Sequence, residues 1–368
     1  MPPFEFATAG RIVFGAGTFA QLDSIASQFG SKPFLVTGKR GSGFHVTHEP
    51  TIDLIREGVE AFRDGGCDMV IAIGGGSAID AGKAIAAAAA NPGDLLEYLE
   101  VIGKGRPLDA VPYPFIAVPT TAGTGSEVTR NSVLGSPEHG VKVSLRSPLM
   151  LARVAIIDPD LTRSLPPAVT ASTGLDALTQ VIEPYVCSRA NPMTDNFCLD
   201  GIRHAAANLP RAYCNGDDGD ARNGMCWASL LGGLALANAG LGVVHGFAAP
   251  IGGKFDAPHG AICAALLPAG MRANIRALRE RDPESPALDR YRAIARILTG
   301  DQNAIPEDGA QWVEGLTRQL AILPLRAYGI CNRDLPELAE KAARASSMKA
   351  NPVALTPAEM TAVVESSL

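Results

Sequence analysis

Ile71-Ala-Ile-Gly-Gly-Gly-Ser-Ala-Ile-Asp-Ala-Gly-Lys-Ala84 reads as an apolar strand running into three glycines and then into a helix. A loop of this kind points backbone N–H groups and the positive end of a helix at an anion such as phosphate. It is not a Walker A loop, which would place glycine at 77 and Ser or Thr at 84, where this chain has Ser77 and Ala84. Nor is it G-x-G-x-x-G, since Ile79 holds the last position. Ser77 suits two uses, capping the helix or bonding phosphate. A tight βα turn that needs glycine for its backbone angles is the plainer reading; three glycines in a row favour phosphate.

A second loop, Val118-Pro-Thr-Thr-Ala-Gly-Thr-Gly-Ser-Glu-Val-Thr129, follows the apolar run Phe115–Pro119 and offers hydroxyls on mobile backbone. Two small-residue loops at strand ends suggest a dinucleotide lying across the carboxyl edge of a sheet. Further apolar runs at Arg11–Phe14, Pro33–Thr37, Phe44–Val46, Met69–Ile73 and Ala155–Asp158 alternate with helical patterns at Pro50–Gly65 and Ala78–Ala90. That alternation predicts a largely parallel, doubly wound α/β sheet. One interval is too short for it. Val36 and Phe44 are separated by seven residues, whereas a parallel crossover with its helix takes at least ~10–12. Either the second run is not a parallel strand, or a helix is missing between residues 37 and 44.

Beyond Asp158-Pro159 the β-like runs cease and Ala- and Leu-rich helical patterns take over. The expected division is an α/β domain over 1–160 and an all-helical domain over 161–368. A chain of 368 residues is also too long for one hydrophobic core. With a net charge of −6, there is no electrostatic case for nucleic acid or an anionic membrane. Residues 229–253 are uncharged, but Asn238, His245 and abundant Gly and Ala fit a tightly packed buried segment better than a membrane span. The seven scattered cysteines, with no C-x-x-C, read as reduced cytoplasmic thiols packed as small core residues.

The helical half carries the candidate metal ligands. In Gly174-Leu-Asp-Ala-Leu-Thr-Gln-Val-Ile-Glu-Pro184, Asp176 and Gln180 stand one helical turn apart on one face. His245 and His259 come from the glycine-rich segments Gly240-Leu-Gly-Val-Val-His-Gly246 and Ala257-Pro-His-Gly260. Carboxylate plus imidazole suits Fe(II) or Zn(II) better than Mg or Ca. The alternative is a set of hydrogen-bonded core residues.

Together these segments resemble the iron-containing (group III) alcohol dehydrogenases, with the maleylacetate reductases as a near branch. The resemblance runs from Arg11-Ile-Val-Phe-Gly-Ala-Gly17 to Met348-Lys-Ala-Asn-Pro352. It rests on Gly74-Gly-Gly-Ser-Ala-Ile-Asp80 with Lys83, Pro119-Thr-Thr-Ala-Gly-Thr-Gly-Ser-Glu127, Gly174-Leu-Asp-Ala-Leu-Thr179 and the two His-Gly pairs. It implies a dehydroquinate synthase-like architecture: a nucleotide-binding α/β domain, a helical domain and an active site in the cleft between them. It also implies a homodimer. Residues matching Asp176, His245 and His259 bind the metal in that family. Gly75, Gly76, Ser77, Thr120, Thr121, Thr124 and Lys142 match positions that bind NAD(P).

Three departures stand out. Gln180 replaces the family's usual histidine, and an amide oxygen is a poorer donor to Fe or Zn. Ala249 replaces a histidine implicated in proton relay, which leaves the acid/base residue unassigned. After the strand ending at Thr37, Gly38-Lys39-Arg40 stands where an aspartate often selects NAD. Losing that carboxylate and gaining two cations favours the 2′-phosphate of NADP.

The leading expectation is metal-assisted hydride exchange between NAD(P) and a small alcohol, aldehyde or keto acid. Three rivals are a metal-independent, maleylacetate reductase-like reduction of a carboxylated substrate, a metal-dependent lyase or cyclase of the dehydroquinate synthase type, and a non-catalytic cofactor-binding protein. Glu183, a further turn along the Asp176 face, is either a partner behind the metal ligands or a cap on a polar helix face.

Overall fold

The computed structural model describes residues 3–39 and 41–368. Along the first part of the chain the elements are β1 (Ile12–Phe14), α1 (Leu22–Ala26), β2 (Pro33–Thr37), β3 (Phe44–His45), α2 (Ile52–Asp64), β4 (Met69–Gly74), α3 (Gly76–Ala90) and β5 (Phe115–Pro119). There follow β6 (Asn131–Ser136), β7 (Val141–Arg146) and β8 (Val154–Ile157). Six of these strands form one sheet in the order β1-β8-β5-β4-β2-β3, and every pairing in it is parallel. The chain steps outward from β2 to β3 and then returns to the other side of β2 as β4. That reversal creates a topological switch point, where α/β sheets hold ligands outside the strands' carboxyl ends.

Alternation in β4 explains both faces of the sheet. Met69 and Ile71 join Ile116, Val118, Val154, Ile156 and Ile25 of α1 in one buried cluster. On the other face α3 packs so closely that a Cβ on Gly82 would lie 2.8 Å from the Ala72 Cβ.

The short interval after β2 is resolved in favour of a parallel strand. Val36 pairs with Phe44 and Thr37 with His45, and no helix lies between them among the described residues. Because β3 is only two residues long, the chain needs to double back by little more than one strand residue. Glycines permit the tight return. A Cβ on Gly41 would sit 2.5 Å from the Thr37 Cβ, and Gly43, at φ +116°, lies against the Leu35 carbonyl. Arg40 lies outside the described residues. The antiparallel hairpin β6–β7 was not expected from the sequence.

The rest of the chain is helical: α4 (Pro167–Val186), α5 (Pro192–Cys214), α6 (Gly219–Asn238), α7 (Val243–Lys254), α8 (His259–Arg281), α9 (Pro286–Thr299), α10 (Pro306–Gln319), α11 (Leu335–Arg344) and α12 (Pro357–Glu365). The compact units are Phe6–Thr121 with Gly125–Ser164, and Leu165–Leu368 with Ala122–Thr124 and the N-terminal residues up to Glu5. Thr124 therefore groups with the helical unit. The uncharged run 229–253 is divided between α6 and α7, which bend by 95° at their junction; among the described residues no single helix is long and apolar enough to cross a membrane.

Candidate active site

At the carboxyl edge of the sheet, β4 and β5 pair in register through Gly74 and Pro119. The loops that follow are stitched together, with the Thr120 amide donating to the Gly74 carbonyl at 2.9 Å. A Cβ on Gly75 would lie 3.3 Å from the Thr121 methyl, so glycine allows the two loops to touch. Gly75 is the N-cap of α3, and no side chain caps it. Ser77 lies inside the first turn and is not the cap, which removes one of its two expected uses. Gly76, Ser77, Thr120 and Thr121 are thus gathered at an uncapped helix start whose N–H groups suit an anion. Gly38 and exposed Lys39 follow β2, whose last residue, Thr37, pairs with Ile73 of β4. Lys142, on β7, is nearly buried, and its ammonium pairs with Glu49 at 2.5 Å.

Lys83 holds the second loop from beneath. Its ammonium donates to the carbonyls of Ser126 and Asn131 and to both the Ser126 and Thr129 hydroxyls. Burial lowers its pKa, with Asp80 and Glu127 opposing. Burial also pushes the Glu127 carboxyl up to about 7, although Lys83 pulls the other way.

In the helical unit, α4 buries Asp176, Gln180 and Glu183 on one face. Asp176 Oδ1 lies 3.5 Å from His245 Nε2 and 3.7 Å from His259 Nε2. Cys263, one turn beyond His259 on α8, places its Sγ 3.7 Å from the same Nε2. One donor atom each from Asp176, His245, His259 and Cys263 all lie within 4.8 Å of one another. By sequence alone Cys263 reads as a small core residue. The overlooked signal was the four-residue step from His259, which puts both side chains on one helical face.

Glu183 reaches from α4 to the start of α7. Its Oε2 accepts from His245 Nδ1 at 2.7 Å, and its Oε1 accepts from the Val244 amide at 2.7 Å, in the first turn of α7. Asn351, from the Met348–Pro352 segment, completes that cap by accepting from the Val243 amide at 3.0 Å. With Nδ1 committed to a carboxylate, the Nε2 of His245 is turned toward Asp176 as a donor for a cation.

Four buried side-chain polar atoms have no hydrogen-bond partner among the described residues, and three of them are Asp176 Oδ1, Gln180 Oε1 and His245 Nε2. Each such orphan costs about 1–3 kcal/mol. A divalent cation coordinated by these atoms would remove the penalty, and the donor set fits a borderline metal. Electrostatics agree. Burial pushes the Asp176 carboxyl up, but His259 and His245 outweigh it and leave it below the ordinary carboxylate value. Burial likewise opposes charge on His259, whereas Cys263 and Asp176 raise it to about 9. The cluster attracts positive charge. Ala249, one turn past His245 on α7, contributes no titratable group there.

These features match known proteins along nearly the whole chain. Residues 9–159 fit the iron-containing alcohol dehydrogenase model, and residues 170–368 fit the C-terminal model of the Fe-containing alcohol dehydrogenase family. The chain belongs to this family, and is an oxidoreductase acting on CH–OH groups. It is 39% identical over 309 residues to 1,3-propanediol dehydrogenase from Klebsiella pneumoniae, covering 83% of this chain and 78% of that protein. Among solved structures, the alcohol dehydrogenase from Oenococcus oeni superposes with a TM-score of 0.90 at 30% identity, covering 100% of both chains. The sulfoacetaldehyde reductase from Bifidobacterium kashiwanohense, solved in complex with NAD+, gives a TM-score of 0.87 at 27% identity, covering 100% of this chain and 99% of that one.

Proposed function

We propose that this protein is a metal-assisted, NADP-preferring alcohol dehydrogenase that interconverts a small alcohol with its aldehyde or ketone. The observation that carries the reading is the orphaned trio Asp176 Oδ1, Gln180 Oε1 and His245 Nε2 beside His259. Asp176, His245 and His259 would hold Fe(II) or Zn(II), with the amide oxygen of Gln180 as a further neutral donor. When bound, the metal would supply Lewis-acid polarisation of a substrate oxygen, and the nicotinamide would supply or accept the hydride.

The chain's own residues have separate tasks. Glu183 fixes the His245 ring and its tautomer through the 2.7 Å bond to Nδ1. Asp176 contributes the buried negative charge that retains a dication. The glycine loop of Gly75, Gly76 and Ser77, together with Thr120, Thr121 and Thr124, supplies amides and hydroxyls for the cofactor's diphosphate. Lys142, tied to Glu49, would reach the cofactor by exchanging that partner. Gly38 leaves open space after β2, and Lys39 supplies a cation for the 2′-phosphate of NADP.

The test is metal content after purification without chelator, together with NADPH oxidation across a panel of small aldehydes, before and after metal stripping. One Fe or Zn per chain, needed for turnover, is expected. Turnover that persists unchanged in metal-free protein would reject the Lewis-acid role in favour of a metal-independent reductase.

A further inference from the structure

We infer that Cys263 is itself a metal ligand, bound as thiolate, so that the protein's site is Asp176–His245–His259–Cys263. This rests on the metal-assisted reading above and changes its ligand set. Cys263 is fully buried, which shields it from competing solvent chemistry.

Three of the donor-atom spacings come close to those of a coordination shell. Metal–nitrogen bonds of ~2.0–2.1 Å and a metal–sulfur bond of ~2.3 Å give tetrahedral edges of roughly 3.3–3.6 Å. The corresponding edges here are 3.5 Å from Asp176 to His245, 3.7 Å from Asp176 to His259 and 3.7 Å from His259 to Cys263. A second observation points to the same ligand independently. The unpartnered Asp176 Oδ1 and His245 Nε2 belong to residues only 1% and 7% exposed, and each of these residues places a ligand atom within 4.8 Å of Sγ.

Coordination breaks the S–H bond, forms a metal–sulfur bond and releases the proton to solvent; no electrons are transferred. A thiolate is a softer, stronger donor than an amide oxygen, so Cys263 supplies what Gln180 does not and favours Zn(II) or Co(II) over Fe(II). The neutral Gln180 oxygen then remains as the weakest donor, whose place a substrate oxygen can take.

The test loads metal-stripped full-length protein with Zn(II) or Co(II), and applies zinc-edge X-ray absorption and cobalt electronic spectroscopy. Wild type should show one sulfur at ~2.3 Å from zinc and a thiolate-to-cobalt charge-transfer band in the near ultraviolet. Cys263→Ser should lose both signals while still binding metal through the remaining ligands, at least about tenfold more weakly. A wild-type site with nitrogen and oxygen neighbours alone would overturn the inference and leave the Asp–His–His reading standing. Folded wild type that binds neither metal would overturn both. Should Cys263→Ser fail to fold, the wild-type sulfur signal decides by itself.

Discussion

Glu183 and His245 come from different helices, yet the Glu183 carboxylate bridges the imidazole Nδ1 and the Val244 and His245 amides in the first turn of the helix that carries that imidazole. One side chain thus sets both the ring's tautomer and the direction in which α7 starts. Replacing Glu183 with glutamine keeps the shape but removes the charge. Glu183→Gln should weaken metal retention by roughly 10–100-fold, the usual effect of losing a partner behind a ligating histidine. The capping contribution should lower the stability of metal-free protein by about 1 kcal/mol. Competition against a graded chelator measures the first quantity, and urea melts measure the second. Unchanged metal affinity would show that the Glu183–His245 contact is only a cap.

The two His-Gly pairs look alike in sequence but differ in what the glycine faces. A Cβ on Gly260 would meet the Ser172 backbone oxygen at 2.7 Å, whereas one on Gly246 would meet the Met348 terminal methyl at 2.7 Å. Backbone held within the hydrogen-bonded helix α4 cannot easily yield, but the tip of a methionine can. Gly260→Ala should therefore cost about 1–3 kcal/mol and displace His259 from the cluster, with loss of bound metal. Gly246→Ala should stay within about 1 kcal/mol of wild type, because the helix gains from alanine. Equal effects in thermal melts and metal assays would sink this distinction.

How far the sequence could be read depended on whether the signal was local. The central parallel strands β4, β5 and β8 are continuous apolar runs, almost wholly buried, so they were legible. The hairpin was not, because β6 turns Ser132 and Ser136 inward alongside Leu134, and buried serines hide the period of two. Asp176 and Gln180 were recognisable from a one-turn spacing, and Cys263 has the same spacing from His259. It was passed over because a lone buried cysteine is ordinarily core packing. The cap that Asn351 places on Val243 joins residues 108 positions apart, and no local pattern carries such a contact. The missing crossover helix showed as a length anomaly, but only the register of Val36 with Phe44 revealed how the chain manages without it.

Glu127 gives the α/β unit a pH-dependent strain. Burial raises its carboxyl from the ordinary value of 4.5 to about 7. Between those values the folded chain binds a proton that the unfolded chain has released. The stability this confers is present in full below about pH 4.5, falls as pH rises and is gone above about pH 7. Glu127→Gln removes the titration while keeping the side chain's volume. The variant should gain on wild type by up to about 3 kcal/mol between pH 5 and pH 8, as read from paired urea melts. Melting curves that run parallel at both pH values would refute a raised Glu127.

Lys39 tests the cofactor preference. It is exposed just beyond β2, the strand beside the glycine-loop strand β4, with no acidic residue at 38 or 39. A charge-assisted bond to a 2′-phosphate contributes about 1.5–3 kcal/mol, so Lys39→Glu should lower kcat/KM for NADPH by roughly 10–100-fold. The same substitution should leave NADH use unchanged or improve it, since a carboxylate can accept from a ribose 2′-hydroxyl. Steady-state kinetics with both cofactors on one aldehyde decide the matter. A parallel loss with NADH and NADPH would mean that Lys39 acts on a part common to both, and the NADP preference would have to be abandoned.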